Sequence, residues 1–240
     1  MAENLDPKGR VVLVSGANRG IGLAIAERLY AEGYTLSLGV RNPATMDAWM
    51  GVREAGRAAA FAFEARDPAS PARWVAASVA RFGRVDGLVN NAGVVRRFPF
   101  EAPDEAALDE MWEVNVKAPY RAIVAALPHL RASGAGRIVN LVSLAGLRYG
   151  GGSPGYAMVK HAAQVLTQIA RQTAWKDGVR ATAICPGSTD TDFIADVRPA
   201  PREALTQPED VAALVALALA LPNTASIATI PVNWTAEATL

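Results

Sequence analysis

Short apolar runs of strand length alternate with stretches of helical spacing along the whole chain. No other feature of the sequence constrains the fold as much. Val11–Ser15, Thr35–Val40, Ala59–Phe63, Val85–Asn90, Arg137–Val142, Arg180–Cys185 and Ser226–Val232 read as strands. Helical spacing runs over Ile21–Glu32, about Ala44–Glu54, Ala69–Phe82, Glu105–Arg131, Tyr156–Trp175 and Pro208–Leu221. Continuous apolar runs such as Val11–Ser15 suit strands covered on both faces. The regular order of strand and helix calls for parallel strands joined by helical crossovers. The expected fold class is therefore α/β, a doubly wound parallel sheet of about seven strands. No repeat, low-complexity tract or linker divides residues 1–240, so they read as a single domain. The Glu105–Arg131 helix should bend at Pro119 and break near Pro128, where a ring replaces the backbone donor.

The chain has 240 residues, 51% of them apolar, enough for one large core without a covalent staple. Its 24 basic and 23 acidic side chains nearly cancel, which argues against nucleic acid or a polybasic membrane contact. The lone Cys185 permits no internal disulfide and fits a reducing compartment. The polar start, Met1–Pro7, lacks the layout of a signal peptide, and the apolar run Val211–Leu221 is too short to span a bilayer. The expected location is cytoplasmic. His129 and His161 lack ligand company, so no metal site is expected.

The first strand runs directly into Ser15-Gly16-Ala17-Asn18-Arg19-Gly20-Ile21-Gly22, and a helix follows. Gly16 suits a tight turn, Gly20 a close backbone approach to a pyrophosphate, and Gly22 close packing of helix on strand. Phosphates would then sit at free N–H groups and the positive end of the helix dipole. The G-x-x-x-G-x-G spacing is wider than the usual fingerprint. Its position between strand and helix carries the reading, because glycine alone also marks ordinary turns. At the end of the fourth strand, Asn90-Asn91-Ala92-Gly93 suits either a simple turn or a wall beside a bound dinucleotide. After the sixth strand, the Pro- and Asp-rich stretch Ser188–Gln207 is a candidate lid over the crevice.

The fifth strand ends in Leu141-Val142-Ser143, and Tyr156-Ala157-Met158-Val159-Lys160 follows on a helix. Tyr156 and Lys160, one turn apart, share a helix face. A lysine ammonium beside a phenol lowers the phenol's pKa from its ordinary value of about 10, as a proton donor near neutral pH requires. A serine hydroxyl nearby would polarise a carbonyl oxygen. Each residue alone would be unremarkable. Together with Ser15–Gly22, Asn90–Gly93, Asn115 and Pro186-Gly187, they resemble the short-chain dehydrogenase/reductase family from Arg10 to about Val232.

The resemblance implies a Rossmann-type dinucleotide-binding domain and interconversion of an alcohol with a ketone or aldehyde by hydride transfer. It implies catalytic roles for Asn115, Ser143, Tyr156 and Lys160. Tyr156 would be the general acid in reduction and the base in oxidation, and Lys160 would tune it and hold the nicotinamide ribose. Ser143 would hold the substrate oxygen, and Asn115 would kink its helix and position a relay water. For the cofactor, it implies contacts from Gly16, Asn18, Arg19, Gly20, Ile21 and Gly22 in the first turn, and from Asn90, Ala92 and Gly93 after the fourth strand. Asp67 would contact the adenine, and Pro186, Gly187, Thr189 and Thr191, with Tyr156 and Lys160, would meet the nicotinamide end. Family members commonly pair through the helices around Asn115 and Tyr156, so a homodimer or homotetramer is implied. Two alternatives within this frame are a reductase of 3-oxoacyl groups on a carrier protein and a catalytically idle dinucleotide-binding sensor. The C-terminal end departs from the family. Where many members carry a glycine pair, this chain reads Val232-Asn233-Trp234-Thr235, so the usual C-terminal subunit contact is not implied.

The choice of dinucleotide is read from the residues themselves. NAD-specific members of this fold place an acid at the end of the second strand, on the ribose 2′-OH. Here that stretch is Gly39-Val40-Arg41-Asn42. Arg41 and Arg19 together suit a 2′-phosphate, so the expected cofactor is NADP. Arg96, Arg97 and Arg148 follow strand ends at the mouth of the crevice, where they would either attract a substrate anion or simply face water or Glu101 and Asp104.

Overall fold

The structure, a computed structural model, describes residues 3–236. Seven parallel strands form one sheet: β1 (Val11–Ser15), β2 (Thr35–Val40), β3 (Ala58–Ala62), β4 (Gly87–Asn90), β5 (Arg137–Leu141), β6 (Arg180–Pro186) and β7 (Thr229–Val232). Their spatial order is β3-β2-β1-β4-β5-β6-β7. The order reverses between β1 and β4, and doubly wound sheets open a ligand crevice at such a point.

The α-helices are α1 (Gly20–Glu32), α2 (Asp47–Gly51), α3 (Ser70–Phe82), α4 (Glu105–Trp112), α5 (Ala118–Ala132), α6 (Pro154–Thr173) and α7 (Pro208–Ala220). All five residues of β1 are buried, because both faces of the sheet are covered. Side chains alternate across a strand. Val12 and Val14 accordingly join the core under α1 and α7, including Ile25, Leu29, Val211 and Val215. Val11 and Leu13 join the opposite core, with Trp74 of α3, Ile123 of α5 and Leu166 of α6. Trp74 is fully buried and satisfies its indole N–H on Ser37 Oγ at 2.9 Å.

The expected long helix is present but irregular. A π-helical turn, Glu113–Lys117, joins α4 to α5 immediately before Pro119. The expected break near Pro128 does not occur, and α5 runs through that proline. Pro128 is on the exposed face, and Val124, the residue whose carbonyl loses its donor, is exposed as well. Water can replace the missing bond there. The Ser188–Gln207 stretch forms two 3₁₀ turns, Asp192–Val197 and Arg202–Ala204. Thr189 pairs with Thr206 at its base.

Candidate active site

A cleft of about 830 Å³ lies across the C-terminal ends of the strands. Its two ends differ in chemistry.

At one end, the turn from β1 enters α1. Arg19, the residue before the helix, is extended (φ −161°, ψ 167°), and no side chain caps the first-turn N–H groups. The first turn also carries no acid, so its donors and positive dipole end remain free. Gly16 has φ +68°, and a Cβ on Gly22 would come within 2.1 Å of the Gly16 carbonyl oxygen. The helix therefore packs closer to the turn than any side chain would allow. Asn91 Nδ2 donates to the carbonyls of Ser15 (3.0 Å) and Gly16 (3.2 Å). Ser15 Oγ in turn accepts from the backbone N–H of Asn91 and Ala92. Arg19 and Arg41 line this end, are exposed, and have no polar partner among the described residues. After Arg41, Asn42 accepts a bond from Ala44 N–H and caps the turn that leads the chain away.

At the other end, Ser143 Oγ accepts from Ala145 N–H at 3.1 Å and so caps the turn Leu144–Gly146. Tyr156 stands in the first turn of α6, with Lys160 one turn further on. Lys160 is buried, donates to the Leu141 carbonyl at 2.9 Å, and lies 5.6 Å from the Tyr156 ring centroid. Phe193, in the turn over the cleft, has its ring 6.2 Å from that of Tyr156.

Burial pushes the Tyr156 phenol up to about 12, while a hydrogen bond with Ser143 and the charge of Arg97 pull it back down. Burial also pushes Lys160 down to about 8. This corrects the expectation that the lysine dominates the phenol. In the protein alone desolvation dominates, and the ammonium is committed to Leu141.

Asn115 lies in the π turn. Its Nδ2 donates to the carbonyls of Met111 and Val94, both at 2.9 Å, and its Oδ1 accepts from Val94 N–H at 3.3 Å. Pro119 lacks the N–H that a regular helix would send to the Asn115 carbonyl. Gly93 makes this approach possible, since a Cβ there would stand 2.9 Å from Asn115 Oδ1.

A model of the short chain dehydrogenase family matches residues 10–202. The chain belongs to the short-chain dehydrogenase/reductase family. Members are oxidoreductases that bind a nicotinamide dinucleotide and act on small molecules. Agropine synthesis reductase of Rhizobium rhizogenes is 40% identical over 218 residues, covering 90% of this chain and 50% of the relative. The chain thus spans about half the length of the curated relatives it first matches. Levodione reductase of Leifsonia aquatica is 33% identical over 197 residues, covering 77% of this chain and 71% of the relative. A crystal structure of levodione reductase superposes with a TM-score of 0.84 at 28% identity, over 95% of this chain and 97% of that one. A blue fluorescent protein from a metagenomic library, solved in complex with NADPH, gives a TM-score of 0.82 at 29% identity, over 95% and 98% of the two chains.

The cleft of this short-chain dehydrogenase gathers most of the residues expected from its sequence. Gly16, Asn18, Arg19, Gly20, Ile21 and Gly22 line it, as do Arg41, Ala92 and Gly93. At the far end Ser143, Tyr156, Lys160, Pro186, Gly187, Thr189 and Thr191 line it too. Three expected site residues are absent from its lining: Asp67, Asn90 and Asn115, the last buried beside Gly93. Asp67 bonds Ala69 N–H and pairs with Arg73 ahead of α3, whereas Glu64, Ala65 and Arg66 line the wall in its place. The cleft lining therefore begins directly after β3, which ends at Ala62, rather than at Asp67. Asn90 instead braces the sheet, donating to Asn140 Oδ1 at 2.8 Å, and Asn140 donates to Thr167 Oγ1 at 2.8 Å.

Asn91, read in the sequence only as part of the Asn90–Gly93 stretch, lines the cleft and braces the glycine turn. Asn90 ends β4 and donates to Asn140, whereas Asn91 follows the strand and reaches the carbonyls at the end of β1. Arg96 is held by Glu110 at 2.8 Å, not by Glu101 or Asp104, and Arg148 lies outside the cleft lining. No helix of the described residues is long and apolar enough to cross a membrane. No group of three or more metal-ligating side chains occurs among them.

Proposed function

We propose that this protein is an NADP-dependent oxidoreductase that interconverts an alcohol and a ketone or aldehyde, with Tyr156 as general acid/base. One observation carries the reading. Ser143, Tyr156 and Lys160 converge at one end of a cleft whose other end is an uncapped helix N-terminus behind a glycine turn. The dinucleotide, when bound, donates or accepts the hydride.

The remaining chemistry falls to the chain. Free N–H groups of α1 suit a pyrophosphate, and Gly22 lets the start of that helix pack tightly on the Gly16 turn. Arg41 and Arg19 suit a 2′-phosphate, and no acid stands at the end of β2 to repel it. The NADPH complex of the fluorescent relative is consistent with that choice. Ser143 orients the substrate oxygen. Tyr156, held protonated by burial, is ready to give its proton to that oxygen in reduction. Lys160, buried below the ring, replaces the proton through the Asn115 side of the site. Residues 1–240 act as one domain in this reading, and the unpartnered apolar faces of α5 and α6 pair copies of the chain.

The test is oxidation of NADPH and of NADH, followed spectrophotometrically, across ketones and aldehydes. Tyr156→Phe keeps the ring and removes the transferable proton, so turnover should fall by about a hundredfold or more while NADPH still binds. Turnover above a tenth of wild type would remove Tyr156 from this role.

A further inference from the structure

The charges at the reaction end of the cleft are unevenly partnered. Glu110 holds Arg96 at 2.8 Å and faces Arg66 at 3.9 Å. Asp190 holds Arg202 at 2.9 Å and Arg198 at 3.4 Å, and Asp192 adds to the field on Arg202. Glu110 and Asp190 therefore each have an arginine beside them, whereas Asp192 is exposed and makes no ion pair among the described residues. Arg97 lines the same cleft with no hydrogen-bond or ion-pair partner among the described residues.

The backbone that carries Arg97 is tied on both sides. Arg96 N–H donates to Met111 Sδ of α4 at 3.2 Å, and Ser153 Oγ donates to the Arg96 carbonyl at 2.8 Å. Phe98 packs over Gly155 of α6, where a Cβ would meet its ring at 2.6 Å. Arg97 is thus presented by anchored chain between two anchored neighbours. Arg97 itself is exposed, and the same cleft lining also carries Val94, Val95, Phe193, Ile194 and Val197.

We propose that Arg97 is a specificity-determining residue and that the substrate is a carbonyl compound carrying a carboxylate. A guanidinium meets a carboxylate through two parallel hydrogen bonds. One unneutralised cation balances a monoanion. A dianionic phosphate would find Arg96, Arg198 and Arg202 engaged by acids and would leave one of its two charges without a partner. This inference rests on the carbonyl-reductase reading of the site and deepens it.

Three ring ketones test it: 4-oxocyclohexanecarboxylate, its methyl ester and 4-oxocyclohexyl phosphate, each assayed with NADPH. The wild type should favour the acid over the ester by tenfold or more in kcat/KM, mostly through KM. Arg97→Met should bring that ratio close to one, Arg97→Lys should keep part of it, and Arg148→Met should leave it alone. The ratio is the proper readout, because removing the Arg97 charge also acts on Tyr156, and that effect is common to both ketones. A ratio unaffected by Arg97→Met, or a wild-type preference for the phosphate, overturns the proposal. If the ester and the acid both fail to turn over, the reductase reading fails, and calorimetry of NADPH-loaded protein with the acid still reads the contact. A tenfold weaker Kd in Arg97→Met supports the role of Arg97, and an unchanged Kd or no binding overturns it.

Discussion

Asn115 and Val94 exchange two hydrogen bonds, one from the side-chain amide to the Val94 carbonyl and one from Val94 N–H back to Oδ1. This exchange ties the segment after β4 to the π turn between α4 and α5. It also gives the buried amide partners inside the protein, with a third bond to Met111. Asn115→Ala leaves Val94 N–H and two carbonyls short of partners. The expected loss is about 1–3 kcal/mol of stability, since buried groups left unpaired cost about that much. Urea unfolding monitored by tryptophan fluorescence measures it, and an unchanged midpoint would show that the pairing is dispensable.

Arg41 should decide between the two dinucleotides. Charge-assisted hydrogen bonds contribute about 1.5–3 kcal/mol each, so Arg41→Ala should weaken NADPH by about tenfold or more. NADH has no 2′-phosphate and should change far less. Fluorescence titration of both dinucleotides reads the difference, and equal affinities in the wild type would refute the assignment.

Lys160 gives a pH signature in stability. Its folded-state pKa of about 8 is below the ordinary 10.5 because burial disfavours the charge. Below pH 8 the group is protonated in both states. Between pH 8 and 10.5 the unfolded chain holds a proton that the folded chain has released, so stability rises with pH over that window. Lys160→Met removes this rise. Cys185, pushed up to about 11 by burial, and Tyr156 contribute falling limbs at higher pH; the Lys160 charge pulls Cys185 down, so the Cys185 limb differs between the two proteins and the comparison is read most directly below pH 9. Urea midpoints measured from pH 7 to 10 should show the wild type gaining on the variant above pH 8. A constant offset would contradict the buried ammonium.

The exposed faces of α5 and α6 predict assembly. Ile123 and Leu166 point into the core, whereas Tyr120 and Val124 on α5 and Val165 and Ile169 on α6 remain exposed, the last two at 52% and 55%. Wild-type protein at micromolar concentration should scatter light as a dimer or larger species, and Val165→Asp with Ile169→Asp should release monomers. A monomeric wild type would leave these faces without a partner.

Local pattern determined a good deal. Alternating apolar runs and helical spacing specify parallel strands and crossovers, because periodicity and burial on both faces are properties of short segments. The glycine turn before α1 and the one-turn spacing of Tyr156 and Lys160 were legible for the same reason, each being decided within a few residues. The tertiary structure decided whatever depends on segments far apart in the chain. Whether Pro128 broke α5 depended on which side of the helix faced water. Whether Asp67 or Glu64 met the cleft depended on how the chain turned after β3, with Asp67 drawn to Ala69 N–H and Arg73. Burial by the whole fold, not the neighbouring lysine, set the direction of the Tyr156 shift. The three rim arginines read alike in sequence, and only the position of Glu110, which holds Arg96, and the course of the cleft, which leaves out Arg148, separated Arg97 from the other two. Sequence spacing fixes what a residue can do, but its partners come from distant parts of the chain, and those partners decide whether its charge is spent or free.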